Sequence, residues 1–184
     1  MIELTPLQIS KAFPGAQLEV IKYHWPFVRD ALYENMLNSP QIIAYALATI
    51  AAESAGFVPI SEMKSRFNTK IKPFDVYNNR QDLGNGPNDG EKYRGRGFVQ
   101  LTGRHNYRVY GERIGRNLEQ EPEDANDPQV AAQLLALFVA DKEGKIKEAL
   151  AHADYQKARK LVNGGTHGIN QFEHTYLILI GIMK

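Results

Sequence analysis

The chain is predicted to fold as a mainly α domain with one long loop-rich segment that walls a cleft. Three observations lead there. Apolar residues recur at spacings of three and four over much of the chain, the period of a helix with one buried face. Two stretches, 41–55 and 130–140, are apolar on nearly every face, as fully buried helices are. Between them, residues 57–97 hold Pro59, Pro73, Pro87 and polar runs such as Asn78-Asn79-Arg80-Gln81-Asp82. A loop region of that length inside a compact domain is usually functional.

Thr5 and Ser10 can open short N-terminal turns, which Pro14-Gly15 breaks. Leu18, Ile21, Trp25, Val28, Leu32 and Met36 form an amphipathic stripe over 17–37, with Pro26 a kink or break inside it. Asn38-Ser39-Pro40 stops that helix and starts the next, with Ser39 as N-cap and Pro40 at the first helical position. The helix over 41–55 carries one charged residue, Glu53, in its last turn before Gly56. The loop-rich segment follows, with room for short strands. Helical signal returns after Thr102, and Asp127-Pro128 caps the second core helix. Residues 142–162 predict one charged amphipathic helix, ended by Asn163-Gly164-Gly165. Residues 169–183 close the domain.

Composition removes several function classes. Lys+Arg number 22 against 21 Asp+Glu, too balanced for a dedicated nucleic-acid or acidic-membrane binder. With no cysteine there is no disulfide framework, thiolate zinc site, Fe–S cluster or Cys nucleophile. His24, His105, His152, His167 and His174 are scattered without zinc-ligand spacing, and the loop 84–92 fits neither a phosphate nor a calcium pattern. No apolar run approaches the about 20 residues of a membrane span, so no stable membrane insertion is expected. The first six residues lack the basic-then-apolar order of a leader.

The chemistry-bearing candidates are carboxylates. Glu53 ends an apolar helix, where burial and the negative end of the helix dipole both disfavour the ionised form. A protonated carboxyl is what the general acid of glycoside hydrolysis requires. Glu62 lies nine residues on, across Gly56 and Pro59, so the chain can turn and face it back. An inverting hydrolase separates its two carboxyls by about 6.5–9.5 Å to admit a water. Asp75, Asp82, Asp89 and Glu91 compete for the second role. If Phe98–Thr102 is extended, Phe98, Gln100 and Thr102 share one face and offer amide and hydroxyl groups to a sugar. The simpler reading is a glycine-rich turn into a helix capped by Thr102. Arg94, Arg96, Arg104 and Arg108, interleaved with Tyr93, Phe98 and Tyr107, suit the wall of a cleft for a polymeric glycan better than a nucleic-acid patch.

Taken in order, these segments resemble glycoside hydrolase family 19, and most of all its small chitinase-like endolysins. They are Glu53-Ser54-x-Gly56-Phe57, Glu62, Asp82-Leu83-Gly84-Asn85, Tyr93-Arg94-Gly95-Arg96-Gly97-Phe98-Val99-Gln100-Leu101-Thr102-Gly103-Arg104-x-Asn106-Tyr107 and Val162-Asn163-Gly164-Gly165. The resemblance implies a lysozyme-like, two-lobed helical fold with a loop-rich active-site cleft. It implies Glu53 as general acid and Glu62 as the base that activates water with inversion. Gln100, Thr102, Asn106 and Asn163 match substrate- or water-holding positions, and no metal or other cofactor is implied. Three departures stand out: Ala52 where the family usually has His, Phe172 near the place of an Arg, and Asn68 and Thr69 straddling the position of a water-holding residue.

The expectation is a monomeric peptidoglycan hydrolase, a single catalytic domain over 1–184 without a separate wall-binding domain. It would cut the β-1,4 bond between N-acetylmuramic acid and N-acetylglucosamine. It would be made in the cytoplasm and reach the wall through a phage holin. The alternatives are a chitinase of the same fold, a lytic transglycosylase, or a glycan-binding protein without turnover.

Overall fold

In the computed structural model the described residues are 4–54, 56–163 and 165–184. They fold into nine helices, three short 3-10 turns and one two-stranded sheet. The helices are α1 (Pro6–Ser10), α2 (Leu18–Glu34), α3 (Pro40–Glu53), α4 (Asp89–Lys92), α5 (Arg104–Arg113), α6 (Pro128–Ala140), α7 (Glu143–Ala151), α8 (Tyr155–Asn163) and α9 (Ile169–Ile182). The strands are β1 (Ile60–Ser61) and β2 (Arg96–Gly97). The chain forms two compact units, one of Met1–Val58 with Leu135–Lys184 and one of Pro59–Leu134. Among the described residues no helix is long and apolar enough to cross a membrane.

The first unit is built around α3. Ile42 through Ala51 are all buried, and the helix packs against α9. Burial of Ile42, Ile43, Leu47 and Ile50 stabilises the fold by about 1.5–3 kcal/mol each. Tyr45 crosses this core twice: its ring meets Phe172 of α9 edge-on at 5.4 Å, and its hydroxyl donates to the Ala158 carbonyl of α8 at 2.8 Å. Pro40 opens α3 at its first turn, with Ser39 as N-cap. Pro26 sits inside α2 without ending it. At the N-terminus Thr5 and Gln8 form a reciprocal capping box for α1.

The single helix expected over 142–162 is two. α7 ends at Ala151, Ala153 takes a left-handed conformation (φ 53°), and α8 restarts at Tyr155. Asp154 drives the restart, because its side chain accepts from the Lys157 N–H at 2.9 Å as an N-cap does. α8 then ends at Asn163 as expected. Gly164 and the side chain of Asn163 lie outside the described residues.

The second unit is irregular, as its proline content predicts. β1 pairs antiparallel with β2, Ile60 opposite Gly97 and Ser61 opposite Arg96. The extended reading of 98–102 is overturned. Arg96 and Leu101 exchange backbone hydrogen bonds, and the chain reverses between them through Gly97 (φ 77°) and Gln100 (φ 53°). Both left-handed residues are incompatible with a strand. Phe98, Val99 and Leu101 are all buried as a result. A Cβ at 97 would stand 2.7 Å from the Ala125 carbonyl oxygen, so only glycine fits this turn. The turn does lead into α5, but its N-cap is Gly103, not Thr102.

Candidate active site

Glu62 follows β1 directly, and the pairing of β1 with β2 decides its surroundings. Its own N–H donates to the Gly95 carbonyl at 2.7 Å. Three donors then converge on its carboxyl group: the Tyr77 hydroxyl at 2.8 Å and the Asn68 amide at 2.9 Å on Oε1, and the Gly95 N–H at 3.3 Å on Oε2. Among the described residues, the carboxyl group is the acceptor in all three contacts. Burial, and next the bond to Glu62, push the Tyr77 phenol well above its ordinary range, so it stays a donor at neutral pH.

Between Asn68 and Thr69, the structure puts Asn68 on Glu62. Asn68 is 2% exposed and saturated: it also donates to the Met63 carbonyl and accepts from the Ser65 N–H and the Thr69 hydroxyl. Thr69 is thus one bond further out. Three of the four competing acids are otherwise engaged, and the fourth, Glu91, is an exposed residue of α4. Asp82 pairs with Arg80, while Asp89 accepts from the Gly86 N–H and faces Arg104. Asp75 accepts from the N–H groups of Lys70, Ile71 and Lys72 at 2.6, 2.8 and 3.0 Å.

Those three backbone bonds hold the Asp75 carboxyl down at about 2 against an ordinary 3.8. A carboxyl depressed by folding contributes fully above its unfolded value and loses that contribution as pH falls through the folded one. The amide protons of residues 70–72 are therefore expected to titrate near pH 2, and Asp75→Asn to remove the transition. NMR shifts of those amides check this, and a midpoint near 4 would refute it.

Gly95 joins Glu62 to the residues expected to hold substrate. A Cβ there would stand 2.8 Å from Gln100 Oε1 and 3.3 Å from Thr102 Oγ1. The Gln100 amide nitrogen is spent on the Ile60 and Gly97 carbonyls, which leaves its oxygen as the group to offer a ligand. Thr102 donates to the Gln100 carbonyl, and Asn106 donates to that of Thr102, an ordered row running into α5. Asn85, from the Asp82–Asn85 motif, ties this row to Tyr77. It donates to the Tyr77 carbonyl at 2.9 Å and accepts from the Arg104 N–H at 2.8 Å, supplying the cap that Gly103 lacks. The arginines divide. Arg96 is fully buried and bonded to Lys92, Tyr107 and Glu123, so it organises the loop instead of lining a surface.

Glu53 belongs to the first unit, as the last residue of α3. Its side chain is 8% exposed, and its Oε1 accepts from Nη2 of the fully buried Arg159 at 2.6 Å. Arg159 also donates to the His167 carbonyl at 3.1 Å. The reading of Glu53 from burial and helix dipole alone left out this permanent cation. Phe172, near the place where the resemblance puts an arginine, is a buried core aromatic, and the cation on Glu53 comes from α8. Ala52 lies against the start of α9. A Cβ on Gly168, the N-cap of α9, would come within 3.0 Å of the Ala52 carbonyl oxygen and 3.1 Å of its Cβ. It is Gly168, with φ 72°, that has little room for a side chain where α9 begins.

Tyr77, Gly95 and Arg159 were not singled out as site residues from sequence. Gly95 lay within the motif. Tyr77 and Arg159 carried no signal, because their partners are distant in the chain. Among the described residues no group of three or more His, Asp and Glu is placed to hold a metal ion.

The fold is that of family 19 chitinases. Chitinase C of Streptomyces griseus superposes with a TM-score of 0.64 at 19% identity, over 95% of this chain and 76% of that one. A second bacterial family 19 chitinase gives the same TM-score and identity over 95% and 94%. In sequence, 117 residues are 35% identical to a glycosyl hydrolase family 19 domain-containing protein of Haemophilus influenzae, covering 61% of this chain and 54% of that protein. The chain thus spans about half the length of the curated relative it matches. No family model matches. The likeness to glycoside hydrolase family 19 read from the motifs is present in sequence and in fold alike.

Proposed function

We propose that the chain is a glycoside hydrolase that cuts the β-1,4 bond between N-acetylmuramic acid and N-acetylglucosamine in peptidoglycan. The observation that supports the hydrolase reading is Glu62, whose carboxyl group is held in place by three donors. Glu62 takes a proton from water as the oxygen attacks the anomeric carbon. Glu53 gives its proton to the leaving glycosidic oxygen as the carbon–oxygen bond breaks, and the anomeric centre inverts. Gln100, Thr102, Asn106 and Asn163 are assigned to substrate. The choice of peptidoglycan rests on the motif likeness to small chitinase-like endolysins. With it go action as a monomer and passage to the wall through a phage holin.

Chitin is the second reading, favoured by the chitinases that share the fold. Mass spectrometry of fragments released from purified peptidoglycan and from chitin oligomers separates the two. Anhydro ends on the products would instead mark a transglycosylase. Glu62→Gln is expected to lower turnover by about 10²-fold or more while substrate still binds. The amide retains an oxygen for Tyr77 and Asn68 but cannot take the proton. Unchanged turnover in Glu62→Gln would remove the base assignment.

A further inference from the structure

The segment 63–72 forms a strap whose chemistry the hydrolytic reading does not use. Met63, Phe67 and Ile71 are 81%, 79% and 91% exposed, far above what isolated core-type residues require. Lys64, Arg66, Lys70 and Lys72 stand between and beside them. None of the four is in a salt bridge among the described residues; Arg66 lies over the Phe67 ring at 4.8 Å. No acidic residue occurs from 63 to 74. The flanking acids face inward, Glu62 onto Asn68, Tyr77 and Gly95, and Asp75 onto the backbone of 70–72. In a chain of net charge +1, this is a concentrated cationic and apolar surface. It is also ordered. Asp75 pins one end, and Asn68, bonded to the Ser65 N–H and the Met63 carbonyl, pins the other.

We propose that this strap selects a glycan strand bearing carboxylate-ended peptides over an uncharged strand. The inference rests on the hydrolase reading above and names the substrate class of the same site. Unpaired cations complement free carboxylates, and the apolar side chains offer contact to the methyl groups of short alanine-containing peptides. Asn68 bonds the strap directly to Glu62, so whatever the strap holds is held beside the proposed base. That favours the substrate over a lipid surface, the other partner such a patch would suit.

The test is co-sedimentation of the full chain with insoluble peptidoglycan, intact or with its peptide carboxylates converted to neutral amides by carbodiimide and ammonia. The wild type is expected to bind the intact polymer about tenfold more tightly, with the preference shrinking as salt screens the charges. The variant K64Q/R66Q/K70Q/K72Q should bind both as weakly as the wild type binds the amidated polymer. The charge-preserving K64R/K70R/K72R should keep the preference, which a merely structural role would not predict. Equal binding of the wild type to both preparations overturns the proposal, whatever the variants do. So does displacement of the bound chain by vesicles of phosphatidylethanolamine and phosphatidylglycerol but not by muropeptides. Binding is read without turnover, so preferential binding with no released fragments would remove the hydrolase reading and leave the strap's selectivity standing.

Discussion

Glu53→Gln is expected to reduce the clearing of permeabilised bacterial cells and the release of muropeptides by about 10²- to 10⁴-fold, the scale of a lost general acid. The substitution is well suited to the question because of Arg159. The amide oxygen can still accept from the guanidinium that now bonds Oε1, so the end of α3 keeps its buried partner. What is lost is the transferable proton. The neutral amide faces the buried Arg159 cation without a charge, so some thermal stability is lost as well, and turnover should collapse even at temperatures where the variant is fully folded. If the variant cleared cells as well as the wild type, Glu53 would not be the acid. If both cleared them equally poorly, the chain would be a glycan binder without turnover.

The second large effect concerns stability. Arg159→Leu is expected to destabilise the first unit by about 3–5 kcal/mol, the scale of breaking a buried ion pair from one side. The remaining carboxyl has 8% of its side chain exposed, so water can do little to replace the lost partner. For a chain of this size the melting temperature falls by about 2–4 °C per kcal/mol. The double substitution E53Q/R159L leaves no buried charge at this place, and much of the loss should be recovered. A thermal-denaturation double-mutant cycle measures the coupling. Additive effects of the two substitutions would mean that the pair does not act as a unit. The same cation fixes the orientation of Glu53, so Arg159→Leu should also slow turnover, though Arg159 itself touches no reacting atom in the proposed mechanism.

How much was legible in the sequence differs residue by residue. α3 and the position of Glu53 at its end follow from local facts, an apolar run opened by Ser39-Pro40 and closed before Gly56. Glu62 was separable from Asp75, Asp82 and Asp89 only by spacing. In the structure each of those three is occupied by a nearby backbone or arginine partner, which spacing does not reveal. The misread turn at 98–102 has a physical cause. Alternating residues mimic a strand, but the positive φ of Gly97 and Gln100 folds them into a reversal that the alternation does not encode. Arg159 sits between Ala158 and Lys160 in a stretch with the charge pattern of a solvated helix face. The break at 152–154 sets the register of α8 and turns that one guanidinium inward.

Local patterns in the chain thus carry most of the helices, the loop-rich interval and the places of the two carboxylates along it. These depend on periodicity, caps and breakers that act over a few residues. Only the tertiary structure decided which groups meet each carboxylate. Gly95 reaches Glu62 through the pairing of 60–61 with 96–97, Asn68 and Tyr77 reach it from the folded segment that follows, and Arg159 reaches Glu53 across more than a hundred residues. Partners that far apart are chosen by packing, and no local pattern in the chain records that choice.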